Sequence, residues 1–85
     1  MKRTHPIMTR EMGNRLRELR LRKGLSQAEL ARRMGLAYGS GKSFVSMLER
    51  GKIPDPHLST ITLYLRACGA LLSEFYDLLT RMKTG

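Results

Sequence analysis

Residues 25–35 read LSQAELARRMG. Inside this stretch Ser26, Gln27, Ala28 and Glu29 spell a capping box. The Ser26 hydroxyl is placed to accept from the backbone N–H of Glu29, and the Glu29 carboxylate to reach back to the N–H of Ser26. The stretch therefore predicts a helix from Gln27 to about Met34. Leu30, Ala31 and Met34 make its inner face, and Gly35 ends it. Two turns of helix do not persist alone in water, so this one needs packed neighbours. Ala31 decides how close they come. A small side chain there lets the following helix approach closely and steeply, which is the packing of a helix-turn-helix pair.

The flanking segments are helical as well. Upstream, Thr9 caps a helix predicted to run to about Lys23, with Gly24 as its stop. Met12, Leu16 and Leu19 face inward, and Arg15, Arg17 and Arg22 line other faces. Downstream, LAYGSGK leads into SFVSMLER, where Phe44, Val45 and Leu48 recur at helical spacing. A third short helix is expected from about Lys42 to Arg50, ended by Gly51. KIPDP is a Pro-rich connector. Asp55 is a candidate cap and Pro56 suits a first helical position, so a fourth helix is expected from there to Gly69. Leu58, Ile61, Leu65 and Cys68 form its inward stripe. Ser73 caps a fifth helix to about Met82, with Phe75, Leu78, Leu79 and Met82 facing the core and Leu71 and Leu72 packing the link. No alternating strand pattern competes with these signals. The expected architecture is all-α: a basic, flexible arm over residues 1–8 and one five-helix domain over 9–85.

Charge narrows the partners. The chain has 85 residues and a formal net charge of +9. Residues 1–57 hold 13 basic and 5 acidic side chains, while residues 58–85 hold 3 and 2. A positive region beside a near-neutral one suits a polyanion, with nucleic acid first among them; a solubilising surface is the plainer reading. Cys68 is the single cysteine, so no intrachain disulfide forms, and its apolar helical setting reads as a buried structural thiol. His5 and His57 have no cysteine cluster near them, so no metal site is expected. No apolar run is long enough to span a membrane, and the first ten residues lack the apolar core of a secretory signal. A cytoplasmic protein without a cofactor is the expectation.

The segments RLRELRLRKGLSQAELARRMGL, SFVSMLERGKIPDP and LSTITLYLRACGALLSEFYDLL together resemble the Cro/repressor-type helix-turn-helix family, also called the xenobiotic-response-element-like family. The resemblance covers residues 12–79. LSQAELA at 25–31 and LERGK at 48–52 are its most specific pieces. It implies a compact, lambda-repressor-like bundle of five short helices that binds double-stranded DNA, commonly as a homodimer on a palindromic operator. The function implied is transcriptional regulation in a prokaryotic or phage setting, repression ahead of activation.

The resemblance also implies roles for single residues. Gln27 corresponds to a glutamine at the start of the second helix that contacts a backbone phosphate, which suits an amide donor at a helix N-terminus. Arg20 and Glu49 correspond to an ion pair between the first and third helices. Lys42, Ser43, Ser46 and Met47 match positions that face bases or nearby phosphates, and 43, 46, 47 and 50 share one helical face. Lys42 suits guanine acceptors or a phosphate, Ser43 and Ser46 either, and Met47 a thymine methyl. Backbone N–H groups near Arg50 and Gly51, with Lys52, make a second expected phosphate clamp. Arg15, Arg32 and Arg33 are distant phosphate contacts or solvated charge.

One departure stands out. The span from Gly35 to Gly51 is several residues longer than the family's usual spacing, and the extra length falls in AYGSGK. Lys42 and Ser43 then belong either to the loop or to the helix. Tyr38 either packs beneath the long turn or projects to stack on or hydrogen-bond DNA.

Two other readings compete. GSGKS at 39–43 looks like the end of a phosphate-binding loop, but G-x-x-x-x-G-K-[ST] requires glycine at 36, which is Leu36. A helix precedes it where a strand is required, so no enzyme is expected. The other is an antitoxin or adaptor, using the same fold to bind a toxin or another regulator. Exposure of Phe75, Tyr76 or Leu79 would favour such an interface over a core wall.

Overall fold

The computed structural model describes residues 10–37, 39–53 and 56–77. The expected arm at 1–8, the caps Thr9 and Asp55, the turn residue Tyr38, and Leu78, Leu79 and Met82 lie outside them. Four helices follow in order: α1 (Arg10–Arg22), α2 (Gln27–Arg33), α3 (Ser40–Glu49) and α4 (Leu58–Cys68). Residues 72–77 are helical too and are labelled α5. No strand occurs among the described residues.

The caps explain where the elements begin and end. At α2 both halves of the capping box form: Glu29 N donates to Ser26 Oγ and Ser26 N to Glu29 Oε1, each at 3.0 Å. The Ser26 backbone N–H first, and then the Ser26 hydroxyl, hold the Glu29 carboxyl below its ordinary value. At its other end Leu36 N donates to Ala31 O and Gly35 N to Arg32 O, both at 3.0 Å. This crossed pair is the Schellman ending, and α1, α3 and α4 close with the same pattern at Gly24, Gly51 and Gly69.

Leu16 and Leu19 of α1, Leu30, Ala31 and Met34 from the α2 segment, Val45 and Leu48 of α3, and Ile61, Leu65 and Cys68 of α4 form one core with Phe75. Met12 and Phe44 pack against its edge. Burial raises the Cys68 thiol above its ordinary range, as befits a structural thiol.

Two glycines set the helix approach. A Cβ on Gly41 would lie 2.7 Å from Leu36 Cβ and 3.2 Å from Ala31 Cβ. Ala31 and Gly41 thus meet where α2 and α3 cross. A Cβ on Gly13 would lie 2.3 Å from the Glu49 carbonyl oxygen, so α1 lies directly against the end of α3. Gly13 was not singled out in the sequence; its signal is a glycine within a helical pattern, which marks close packing.

Several expectations are corrected. The third helix begins at Ser40, two residues before the predicted start, with Gly39 at its N-cap. Gly41 read as a turn residue because glycine disfavours helix, yet the crossing with Ala31 requires it. The fourth helix begins at Leu58, after the predicted Pro56, because His57 is still extended and its carbonyl accepts the first helical bonds. Leu58 is 72% exposed and does not join the inward stripe. Tyr64 occupies the core instead, since its hydroxyl finds a buried partner there. Ser73 is not the cap of the last helix. Leu71 fills that position, with its N–H donated to Glu74 Oε1 at 2.7 Å. Leu71 and Leu72 are exposed and do not pack the link, where Ala70 is buried in their place.

Candidate nucleic-acid interface

Along α3 the inner side carries Gly41, Val45, Leu48 and Glu49. The opposite side is left to Lys42, Ser43, Met47 and Arg50, all exposed, and half-buried Ser46. Lys42 and Ser43 both lie within the helix, so the longer turn ends before them. These five side chains and Gln27 from the first turn of α2 line one shallow groove of about 360 Å³. The lining holds two cations, two hydroxyls, one amide and one thioether, and no carboxylate. It offers donors for anionic or acceptor-rich surfaces and one soft apolar contact.

Lys52 is exposed just past the end of α3. Backbone N–H groups of the expected clamp there have intrachain acceptors. Arg50 N donates to Ser46 O (3.1 Å), Gly51 N to Leu48 O (3.2 Å) and Lys52 N to Met47 O (2.9 Å). The last helical bond and the Schellman ending use those N–H groups, and the cations at this end are the Lys52 ammonium and the Arg50 guanidinium, whose Nε also donates to Ser46 O at 3.4 Å. Of the arginines expected as distant phosphate contacts, Arg15 and Arg33 have intrachain partners. Arg15 pairs with Glu18 at 3.4 Å, and Arg33 Nη1 donates to Ala67 O at 3.4 Å. Arg32 lines a second groove with Lys42, Ala28, Leu36, Ala37 and Gly39.

Behind the groove lies a buried polar cluster. Arg20 Nε donates to Glu49 Oε2 at 2.6 Å and Nη2 to Glu49 Oε1 at 3.0 Å. Its third arm, Nη1, donates to Leu25 O at 2.7 Å. Glu49 is 1% exposed and Arg20 5%. The bidentate pair joins α1 to α3, and the Glu49 hydrogen bond holds the Arg20 guanidinium protonated above its ordinary range. Tyr64 from α4 donates its hydroxyl to Glu49 Oε2 and also lies 3.0 Å from Leu16 O. Burial first, and then the carboxylate it faces, raise the Tyr64 hydroxyl far above the usual phenol range. Gln27 completes the set, with Nε2 donating to Glu49 Oε1 at 3.1 Å. Gln27 thus belongs to both the buried cluster and the groove. Tyr64 was not foreseen in this role; a tyrosine at a core register position is the available signal, because a buried hydroxyl needs a partner.

Among the described residues no group of three or more His, Cys, Asp or Glu side chains is gathered to hold a metal. No described helix is long and apolar enough to cross a membrane.

The helix-turn-helix domain family matches the chain over residues 11–76. The HTH-type transcriptional regulator PuuR of Escherichia coli (strain K12) is 39% identical over 65 residues, covering 76% of this chain and 32% of that protein. The regulator of the same name from Shigella flexneri matches to the same extent. The chain thus spans about a third of the length of the curated relatives it matches. No solved structure matches the chain significantly.

Proposed function

The chain belongs to the helix-turn-helix domain family, of the Cro/repressor type, and from that premise we propose that it binds double-stranded DNA sequence-specifically, with α3 in the major groove, to regulate transcription. The observation that carries this is the carboxylate-free groove on the outer face of α3. Its cations suit phosphates, and its hydroxyls and thioether suit base edges. The relatives are described as transcriptional regulators, which supports regulation as the reading for this chain; repression is the direction proposed. A single module of this size reads few base pairs, so a homodimer on a palindromic site belongs to the proposal.

The test is selection of bound duplexes from a random pool, followed by titration of the enriched site at several salt concentrations. The expected result is one enriched sequence with two-fold symmetry. Affinity should fall with salt by a log–log slope of about 0.9 per phosphate contacted. Replacing Lys52 or Gln27 with alanine should weaken all sequences together, whereas replacing Ser46 or Met47 should alter the preferred bases. A pool that enriches no sequence, or affinity indifferent to salt, would overturn the proposal.

A further inference from the structure

The Glu49 carboxylate has four lone-pair positions and four donors. Oε2 accepts from Arg20 Nε and Tyr64, and Oε1 from Arg20 Nη2 and Gln27 Nε2. A carboxylate only accepts, so the Gln27 amide meets it nitrogen-first. The Gln27 carbonyl oxygen and its second N–H are left for the groove. Of the four donors, Arg20 grips both oxygens, and Tyr64 is the one that arrives from α4, behind the groove. The carboxylate is almost fully buried, so no water replaces a missing donor at low cost.

We propose that Tyr64 is a positioning residue for the α3 face: its hydroxyl, through Glu49, fixes the orientation in which Gln27 presents its amide to the groove. The hydroxyl closes the side of Oε2 that Arg20 leaves open and holds the carboxylate plane in which Oε1 meets Gln27. Without it the carboxylate rotates toward Arg20 and the Gln27 bond lengthens. Gln27 then samples other rotamers and meets a ligand less often in the competent one. No α4 residue lines the groove, yet Tyr64 of α4 sets one of the groove's polar groups.

The test has one arm without DNA and one with it, and only the second rests on the function proposed above. In the first, Tyr64→Phe is compared with the unaltered protein by the side-chain amide resonances of Gln27. The hydrogen-bonded Nε2 proton is expected to shift toward the position of a free amide while backbone resonances of α2 and α3 stay in place. Unmoved Gln27 resonances in a folded Tyr64→Phe protein overturn the proposal. Should that variant not fold, the network is read from its other end. Gln27→Leu, at a half-buried helix start, is expected to shift the Tyr64 Cζ resonance, and no shift is equally adverse.

In the second arm, affinity for the selected duplex is measured in a double-mutant cycle. Tyr64→Phe should weaken binding roughly threefold to tenfold in the unaltered background and have no further effect once Gln27 is alanine. An equal loss in both backgrounds would mean general loosening and overturn the positioning role. If the unaltered protein selects no duplex, the DNA reading fails, and the amide resonances alone decide the link between Tyr64 and Gln27.

Discussion

At the scale of single residues, the buried Glu49 carries the largest consequence. Among the described residues it is one of two buried charged side chains, and its partner Arg20 is the other. Removing one member of a buried pair leaves the other charge without compensation, at a cost of about 3–5 kcal/mol. Glu49→Ala is therefore expected to lower stability by that amount, or to prevent folding, in chemical denaturation. The exposed pair of Arg22 and Glu18 at 2.8 Å offers the contrast. Arg22→Ala is expected to change stability by less than about 1 kcal/mol, because water screens the exposed pair. Gly13 is the second sensitive position. Alanine there would place Cβ against the Glu49 backbone, which cannot step aside as a side chain tip can. Gly13→Ala is expected to cost about 1–3 kcal/mol, read as a lower denaturation midpoint. The Arg20–Glu49 correspondence was legible because the resemblance names both positions. Tyr64 and Gly13 were not, since their roles depend on which atoms of other helices lie opposite them.

At the scale of elements, α2 depends most on its caps. It is seven residues long and too short to hold itself together. Ser26→Ala removes the acceptor of the Glu29 N–H and should cost about 1 kcal/mol, measured by thermal or chemical unfolding. Glu29 adds a pH dependence whose sign follows from its lowered folded value. A carboxyl with a depressed folded pKa stabilises the fold above its unfolded value, and that contribution fades as pH falls through the folded one. The stability advantage of the unaltered protein over Glu29→Ala is expected to be constant above the ordinary value of 4.5 and to shrink as pH falls below it. The α2 boundaries were readable because the capping box and Gly35 act within a few residues. The start of α3 was not. Gly39, Ser40 and Gly41 are poor helix residues by propensity, yet Ser40 and Gly41 are helical, and the crossing with α2 admits nothing larger at 41.

At the scale of the whole molecule, the uneven charge divides the chain. The groove-bearing N-terminal part carries nearly all the net charge, and the near-neutral C-terminal part supplies α4 and α5. Tyr76 is exposed and Phe75 is buried in the core, so the last described helix both closes the core and shows an aromatic outward. Charge removal should therefore act unequally. Lys52→Ala, on the groove side, is expected to reduce the salt slope of DNA binding by about one unit. Arg66→Ala, exposed on α4, should leave the slope unchanged. Titrations of one duplex across a salt series would read both.

Local signals by themselves determined the all-helical class, the order of the elements and the ends marked by glycine, while the outward face of α3 was implied by the family resemblance. The first three follow from neighbours within a turn or two, where spacing in the sequence is spacing in space. GSGKS shows where that reach ends. As a string it resembles a phosphate loop, but Gly41 serves as the contact between α2 and α3, and Lys42 and Ser43 stand on a helix. The tertiary structure alone decided the start of α3, the exchange of Leu58 for Tyr64 in the core and the tie from Gln27 to Tyr64 through Glu49. Those choices compare groups far apart in the chain, and burial, close approach and the need of each buried polar atom for a partner select among them.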